Sequence, residues 1–329
     1  MDELIDIIIL IYLSIVITTM LTAYYIIYID RAILTKQEFI IFHTNLISKD
    51  RVKQICWIFD KRIVYQVLIS LCSIIKNNPD EKFVFYFILP PNTNLNLTPF
   101  NHFLRPWMKI QIRYFSLKHN VTSLVDFPQR KCPHSTIIIV KFWLPEILPE
   151  VHKILYLDSD MINCGKISDL WDINMDSKSI LATKRVNRWW INSGFIFYNL
   201  DLIRKKNDFI NCALRRNSCF LDDYYHTTCH YRSIQIVPYR YNVEFIEMIR
   251  KDKDNETKNY RLNEENQAVF FHLKDGTTHN FYTVKKYQLI EILYAKISKR
   301  ALNILWNLYK IREWVDSELM KMNMPITSV

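Results

Sequence analysis

Glycine is nearly absent from this chain, and its scarcity limits the ligand sites that the sequence can build. Only three glycines occur in 329 residues: Gly165, Gly194 and Gly276. A dinucleotide-binding fingerprint needs three clustered glycines, and a Walker A loop needs two glycines separated by four residues. These three positions satisfy neither motif, so both classes of phosphate-binding loop are excluded. A glycine that such a chain retains is expected where a β-carbon would not fit.

The composition is that of a folded protein, because 50% of the residues are hydrophobic and the chain is long enough to bury a sizeable core. The net charge of +10 would suit an anionic partner. No stripe of basic residues alternates with aromatic ones, so a nucleic-acid partner is not expected. The seven cysteines form no C-x-x-C pair, which argues against a zinc ribbon or a thioredoxin-type motif. Cys56 and Cys72 are predicted core residues, and a disulfide among Cys212, Cys219 and Cys229 stays open.

The N-terminus contains an uncharged stretch at residues 7–29. These 23 residues would span about 34 Å as a helix, which is enough for a bilayer core. We therefore predict a transmembrane anchor at residues 1–30 and a stalk at 31–50. Arg31 and Lys36 follow the span, and the positive-inside rule alone would place the rest of the chain in the cytosol. Asn-x-Thr sequons would instead suit a luminal domain; they begin at Asn96, Asn120 and Asn255.

Apolar runs and helical spacing alternate after the stalk. The order strand, helix, strand, strand, helix, strand predicts an α/β fold with a mostly parallel sheet and ligands outside the carboxyl ends of the strands. Two amphipathic stretches between 285 and 324 are predicted to be docking helices. The predicted strands are 54–59, 82–89, 109–117 and the one in "KILYLDSD" (153–160), and the predicted helices are 63–77 and 136–148, the latter interrupted or started near Pro145.

Two aspartates follow the last of these strands in the stretch "KILYLDSDMIN" (153–163). Asp158 and Asp160 would point into one crevice, where two carboxylates repel each other unless a cation or a proton neutralises them. A divalent metal that carries substrate phosphates is one solution. A pair of turn-capping aspartates is the alternative. A phosphatase with Asp158 as its nucleophile fits less well, because that motif is expected on the first strand.

Two later segments strengthen the metal hypothesis. The tripeptide Asn192-Ser193-Gly194 precedes an apolar strand and suits the close approach of a ligand. His272 leaves another apolar strand and is a candidate third metal ligand, although a purely structural histidine is the alternative. Gly276 follows and would turn its backbone amides toward a phosphate. The zinc-protease spacing of "HTTCH" (226–230) lacks the required glutamate, and we interpret it as chance.

Taken together, these segments resemble the retaining nucleotide-sugar transferases of glycosyltransferase family eight, over residues 53–290. The opening strand "CWIFD" resembles the uracil-binding start of the family, and "VKFWLPEILPEVHKILYLDSDMIN" resembles its helix that leads into Asp-x-Asp. "INSGFIFYNLDLIR" resembles the strand that touches the donor sugar. "HLKDGTTH" resembles the closing segment, and its spacing is nearest to that of the glucoside xylosyltransferases.

The resemblance implies a GT-A (Rossmann-like nucleotide-sugar-binding) fold at 51–290, and the amphipathic pattern predicts C-terminal helices at 291–329. It also implies that Mn²⁺, or Mg²⁺ in its place, binds the diphosphate of a UDP-sugar. The implied metal ligands are Asp158, Asp160 and His272, and the implied donor-binding residues are Asp60, Lys141, Ser159, Asn192, Ser193, Gly194, Gly276 and His279.

The chain departs from the family pattern at two places. Lys141 stands where the family has arginine, so a cation is kept without its bidentate fork. In "LDDYYHT", Asp222 fits the first aspartate of the family's Asp-Gln-Asp, Asp223 replaces the glutamine and Tyr224 replaces the second aspartate. Catalytic roles therefore fall to Asp222 and Asp223, and Asp223 would stabilise or attack an oxocarbenium ion. Front-face attack and a covalent intermediate both stay open.

These inferences predict a membrane-anchored, Mn²⁺-dependent, retaining UDP-sugar transferase of the Golgi or ER, with a luminal catalytic domain. Xylose is the narrower expectation for the transferred sugar, with glucose or galactose as the other choices, and the acceptor is expected to be a glycan or glycoprotein. The alternative is an inactive relative that binds a nucleotide-sugar or a glycan.

Overall fold

The computed structural model describes residues 52–115, 136–185, 190–206, 222–245, 263–273 and 299–324. The predicted anchor and stalk therefore lie outside the described residues. Within the described ranges, no helix combines the length and the apolar character that crossing a bilayer requires.

The first half of the fold is a parallel α/β unit, as predicted. Strand β2 pairs in parallel with β1 on one side and with β3 on the other. Both faces of β1 and β2 are buried, which explains why their sequences are continuous apolar runs. In chain order the elements are β1 (Lys53–Ile58), helix α1 (Val64–Asn77), β2 (Phe83–Leu89), helix α2 (Thr98–Phe103) and β3 (Lys109–Tyr114).

The order of the strands in the sheet reverses at β4 (Lys153–Leu157). This strand pairs in parallel with β1, on the side opposite to β2. Ligands of open α/β sheets bind outside the carboxyl ends of the strands at such a switch point. Asp60 follows β1 and Asp158 follows β4, so both aspartates lie at this edge of the sheet.

The second half of the sheet adds β6 (Ile180–Lys184), β7 (Ile191–Asn199) and β8 (Ile234–Val237), in the overall order β3-β2-β1-β4-β7-β6-β8. Strand β7 runs antiparallel to both of its neighbours, whereas β6 and β8 are parallel to each other. The predicted mostly parallel sheet is confirmed. Because β7 runs in the opposite direction, its beginning lies beside the end of β4.

A separate three-stranded sheet completes this edge. It consists of β5 (Met161–Asn163), β9 (Val243–Glu244) and β10 (Phe270–His272), in the order β5-β10-β9. Strand β10 is antiparallel to β5, with His272 opposite Met161. His272, although distant in sequence, is therefore brought next to the residue that follows Asp160.

Helices cover the two faces of the large sheet. The segment predicted as an interrupted helix is a 3-10 helix (Thr136–Trp143) that continues into helix α3 (Leu144–Ile147), with Pro145 in its first turn. Alternate strand residues enter two separate cores: Ile55 and Trp57 on one face, and Cys56 and Ile58 on the other. The remaining helices are α4 (Leu200–Lys206), α5 (Asp222–His230) and α6 (Lys299–Lys321).

The C-terminal helix α6 docks on the body of the fold, as its amphipathic pattern predicts. Its apolar residues Leu308, Val315 and Leu319 belong to the same core as β1 and α1. The ammonium of Lys76 on α1 lies 5.0 Å from the ring centre of Trp314. The part of the predicted helical region before residue 299 lies outside the described residues.

The described cysteines agree with the sequence analysis. Cys56 and Cys72 are buried free thiols. Cys164 is also free, and burial raises its pKa to about 12. Cys229 is disulfide-bonded, and its partner lies outside the described residues.

Candidate active site

The turn between β4 and β5 carries the two aspartates. The Asp158 amide donates to the Gly194 carbonyl (2.9 Å), which ties this turn to β7, and the Met161 amide donates back to the Asp158 carbonyl (3.2 Å). The side chain of Asp158 is one-third exposed and that of Asp160 is 16% exposed. Both carboxylates are therefore accessible from the edge at which the strands end.

His272 lies against this pair. Its Nε2 is 3.2 Å from Oδ1 of Asp160 and 3.8 Å from Oδ2 of Asp158. One ligand atom from each of the three residues lies within 4.8 Å of the others. Oxygen and nitrogen ligands about 2.0–2.5 Å from one divalent cation are separated by distances of this size. Among the described residues, only these three His, Cys, Asp or Glu side chains form such a group.

Asn242 orients the imidazole. Its Oδ1 lies 3.2 Å from Nδ1 of His272, and both side chains are buried. An amide oxygen can only accept a hydrogen bond, so this contact keeps the proton on Nδ1 and leaves the lone pair of Nε2 facing the carboxylates. The sequence analysis missed Asn242, because only the pairing of β9 with β10 brings it to the histidine.

Gly194 also lies against His272. A β-carbon on Gly194 would lie 2.4 Å from Cε1 and 2.9 Å from Nδ1 of His272, and 3.0 Å from Oδ2 of Asp158. The expectation that a retained glycine marks a position without room for a β-carbon is confirmed here. The pairing of β6 with β7 is also irregular at this point, since Ala182 pairs with Ile196 whereas Thr183 pairs with Asn192. This bulge re-aims the start of β7 toward the aspartates.

Lys141 supplies a buried cation beside the carboxylates. Its Nζ donates to the Ser193 carbonyl (3.3 Å), lies 3.8 Å from Oδ1 of Asp158, and is 4.5 Å from the ring centre of Tyr156. The Tyr156 hydroxyl donates to the same Asp158 oxygen at 2.6 Å. Asp158 is thus held in place by two neighbours, and positive charge is present next to the aspartate pair.

Asp223, a predicted catalytic residue, lies at the beginning of α5 and is buried. Its Oδ1 accepts hydrogen bonds from the amide (2.7 Å) and the hydroxyl (2.6 Å) of Ser193, and its Oδ2 accepts one from Nη1 of Arg185 (3.0 Å). Both oxygens are therefore engaged with the protein. Asp222 starts the same helix, and its side chain lies outside the described part of the structure.

The other predicted donor-binding residues are distributed around this edge. Asp60 accepts hydrogen bonds from both Nε and Nη2 of Arg62, and this contact lowers the pKa of the Asp60 carboxyl. The Ser159 hydroxyl donates to Oε1 of Gln66 (3.0 Å). Oδ1 of Asn192 accepts from the Gly194 amide (2.9 Å), while its buried Nδ2 has no hydrogen-bond partner among the described residues. Gly276 and His279 lie outside those residues.

The two histidines with zinc-protease spacing have an interior position instead. Nε2 of His226 forms a hydrogen bond of 2.7 Å with the Tyr198 hydroxyl. The His226 ring also stacks on Phe142, with ring centres 4.4 Å apart. His230 stacks beside His226 and is buried. Neither belongs to a three-ligand metal group within the described residues.

The model of the family described as "Glycosyl transferase family 8" matches residues 17–207. Two proteins of Arabidopsis thaliana are similar to the chain. "Probable galacturonosyltransferase-like 7" is 30% identical over 111 residues, which cover 33% of this chain and 30% of that protein. "Probable galacturonosyltransferase 9" is 44% identical over 39 residues, 12% of this chain and 7% of that protein. The matched segments thus span less than a third of these relatives.

Solved glycosyltransferase structures share the fold at low sequence identity. The bifunctional glycosyltransferase WbbM has a TM-score of 0.57 at 14% identity, over 80% of this chain and 52% of that one. Galactosyltransferase LgtC has a TM-score of 0.53 at 15% identity, over 74% and 96%. GlyE of Streptococcus pneumoniae TIGR4 has a TM-score of 0.57 at 12% identity, over 85% and 66%. The predicted GT-A-like α/β fold is confirmed.

These findings agree with the order of motifs along the chain and with the geometry at the sheet edge. Because the family model matches more than half of its residues, the chain belongs to glycosyl transferase family 8.

Proposed function

We propose that this glycosyltransferase is a metal-dependent enzyme that moves a sugar from a UDP-sugar to a glycan or glycoprotein, with retention of configuration. The observation that carries the proposal is the meeting of Asp158, Asp160 and His272 at the switch point of the sheet. Two of these residues come from one turn and the third from a distant strand. Their meeting at the edge where such sheets bind ligands favours a metal site over a pair of turn-capping aspartates.

The three side chains fit Mn²⁺, or Mg²⁺ in its place, because two carboxylates and one imidazole are ligands that these ions accept. When bound, such an ion supplies positive charge to the diphosphate of the donor. The chain contributes the rest: Asn242 keeps Nε2 of His272 available, and Lys141 adds a second positive charge beside Asp158. Preorganised positive charge of this kind favours departure of UDP as negative charge develops on it.

The start of β7 is the proposed contact for the donor sugar. Nδ2 of Asn192 is a buried donor without a partner among the described residues, and a sugar hydroxyl would satisfy it. Xylose remains our narrower proposal for the transferred sugar, with glucose or galactose next. Galacturonate is a further candidate for the transferred sugar, because similar plant proteins carry galacturonosyltransferase in their names.

A donor screen tests the proposal directly. The purified protein, with Mn²⁺, is incubated with UDP-xylose, UDP-glucose, UDP-galactose and UDP-galacturonate, and UDP release and sugar transfer are measured. Turnover with one donor should be abolished by EDTA and restored by Mn²⁺. Asp160→Asn should reduce turnover by a factor of at least about 100, because a metal ligand is lost. Asp176→Asn is the control, since Asp176 is exposed and precedes β6 at the opposite edge of the sheet.

A second candidate is an inactive relative that binds nucleotide-sugar. It is favoured by Asp223, which stands where the family has glutamine and whose two oxygens are both engaged by Ser193 and Arg185. Binding of UDP with Mn²⁺, without hydrolysis or transfer for any donor, would support this candidate and contradict the transferase.

We also propose that the domain is luminal, behind the apolar stretch at residues 7–29. The disulfide at Cys229 supports this, since disulfides persist in the oxidising secretory pathway and are rare in the cytosol. Expression in a eukaryotic cell, followed by endoglycosidase treatment, tests the orientation through the three sequons. A band that does not shift, in a protein that fractionates with the cytosol, would contradict the luminal assignment.

A further inference from the structure

One arginine lies between two buried acids behind the start of β7. Nη1 of Arg185 donates to Oδ2 of Asp223 (3.0 Å), and its Nε lies 3.7 Å from Oε2 of Glu244. The side chain of Arg185 is 16% exposed, that of Asp223 is 6% exposed and that of Glu244 is fully buried. We call these three residues the Arg185 bridge.

The bridge joins three separate parts of the fold. Arg185 directly follows β6 of the large sheet, Asp223 begins helix α5, and Glu244 lies on β9 of the small sheet. The aspartate pair and Gly194 lie at the end of the large sheet, whereas His272 belongs to the small one. The candidate metal site thus lies at the junction that the Arg185 bridge crosses.

Each acid of the bridge reaches the candidate site through one further contact. Asp223 binds both the amide and the hydroxyl of Ser193, whose neighbour Gly194 lies against the His272 ring. Glu244 pairs with His272 between β9 and β10 and lies two residues after Asn242. The bridge is therefore connected to two neighbours of the imidazole. It reaches Gly194 through the contact of Asp223 with Ser193, and it reaches Asn242 through strand β9.

Electrostatics favours the arginine in this arrangement. Two ionised carboxylates in the interior are unfavourable unless a cation between them offsets both charges. A planar guanidinium can offer separate N–H groups to two acids at once, which an ammonium cannot do with the same fixed geometry. Loss of the arginine would remove the positive charge that both acids contact, and α5 and β9 would be expected to separate.

From these contacts we propose that Arg185 is a positioning residue of the transferase: it keeps the start of β7 and strand β9 at the spacing that lets His272 meet Asp158 and Asp160. The role rests on the proposed metal-dependent function and adds a residue that acts on the metal ligands without touching them. The family resemblance in the sequence did not assign any role to Arg185 or Glu244.

The test compares Arg185→Met, Glu244→Gln and the double variant with wild type and with Arg232→Met. Met keeps most of the volume of the arginine stem without its charge, and Arg232 is an exposed arginine that serves as the control. Mn²⁺ affinity in the presence of UDP is measured by electron paramagnetic resonance, and thermal unfolding is measured in parallel. Residues that orient metal ligands typically change metal affinity by about 10–100-fold when they are replaced.

We expect Arg185→Met to weaken Mn²⁺ affinity about 10-fold or more, and Arg232→Met to leave it unchanged. Glu244→Gln should cause a smaller loss, because Asp223 keeps its partner. The double variant should bind Mn²⁺ more tightly than Arg185→Met, since it also removes the buried Glu244 charge that Arg185 faces in the wild type. For the active enzyme, KM for the donor should rise with the Mn²⁺ dissociation constant.

Three outcomes would overturn the proposal: unchanged Mn²⁺ affinity in both single variants, a lowered unfolding temperature with no change in Mn²⁺ affinity, or a double variant no better than Arg185→Met. If Arg185→Met does not fold, the Mn²⁺ affinity of Glu244→Gln is compared with that of Arg232→Met, and equal affinities would overturn the proposal. A wild-type protein that binds Mn²⁺ and UDP but turns over no donor would contradict the transferase, while the affinity comparison would still decide the role of Arg185.

Discussion

His272 and Gly194 lie on strands of two different sheets, and they are so close that the ring occupies the space that a side chain at position 194 would need. A β-carbon there would be 2.4 Å from Cε1 of the imidazole. The ring is also held through Nδ1 by Asn242 at 3.2 Å. The imidazole is therefore confined between a backbone without a side chain and an amide, with Nε2 directed at the aspartates.

Gly194→Ala should abolish metal binding without unfolding the protein. The added methyl group would push the His272 ring away from Asp158 and Asp160, so we expect Mn²⁺ affinity to fall by at least about 100-fold. Gly165→Ala is the control, because a β-carbon there would meet its nearest neighbour, Cα of Val269, at 3.4 Å. Calorimetric titration with Mn²⁺ and UDP checks the result, and equal affinity in the two variants would refute this account of Gly194.

Asn242 should matter through the acceptor oxygen that it offers to His272. Asn242→Ala removes that oxygen, so the imidazole can rotate or change tautomer, and we expect Mn²⁺ affinity to fall about 10–100-fold. Asn242→Asp keeps an acceptor at the same place and should preserve the affinity better than alanine does. The same titration applies, and an alanine variant that binds as tightly as wild type would rule out the orienting role.

The ion pair between Arg62 and Asp60 yields a prediction about the nucleotide. If Asp60 contacts the base, as the family resemblance implies, the exposed Arg62 competes for its carboxylate. Arg62→Ala should then raise the affinity for UDP by a few-fold at most, since ion pairs of exposed side chains are weak. Asp60→Ala should lower the affinity. Titration of both variants with UDP and Mn²⁺ tests this, and parallel changes in the two variants would contradict it.

Buried His230 makes stability depend on pH. Burial lowers the pKa of His230 well below its ordinary value near 6.5, and the neighbouring His226 and Lys206 lower it further. Below about pH 6.5 the unfolded chain takes up this proton and the folded chain does not, so the free energy of unfolding falls as the pH falls. The loss from this group is about 1.4 kcal/mol per pH unit until the folded pKa is reached.

His230→Asn should therefore show a weaker dependence of stability on pH between 6.5 and 5 than wild type, whatever its stability at pH 7. Urea unfolding at several pH values gives the two slopes. Identical slopes would mean that His230 is protonated in the folded protein as readily as in the unfolded one.

Local pattern was sufficient for the strands of the first half of the fold and for its longer helix. The strands around Trp57 and Phe85 are buried on both faces, so their sequences are continuous apolar runs that stand out in the sequence. The helix over 63–77 was equally evident from its spacing. The position of the two aspartates at the end of β4 was predicted for the same reason, since a buried strand must end where charged side chains appear.

The polar partners of the site were not predictable in this way. Asn242, Arg185 and Glu244 are single polar residues without a surrounding motif, and their roles come from the pairing of β9 with β10 and from the meeting of two sheets. A one-residue change of register would turn each of them to another face. Asp223 was predicted as a catalytic residue, whereas the structure reveals its bonds to Ser193 and Arg185, and its part in the chemistry stays a prediction.

The sequence by itself determined which residues lie inside and where the strands end, because these depend on hydrophobicity and chain geometry over a few neighbouring positions. Only the tertiary structure decided which distant groups meet. His272 contacts Gly194 and Asp160 because an antiparallel strand and a second sheet bring separate parts of the chain together. The arginine lies between two buried acids for the same reason. Neither arrangement can be predicted from the pattern of neighbouring residues, since the partners are far apart in the sequence.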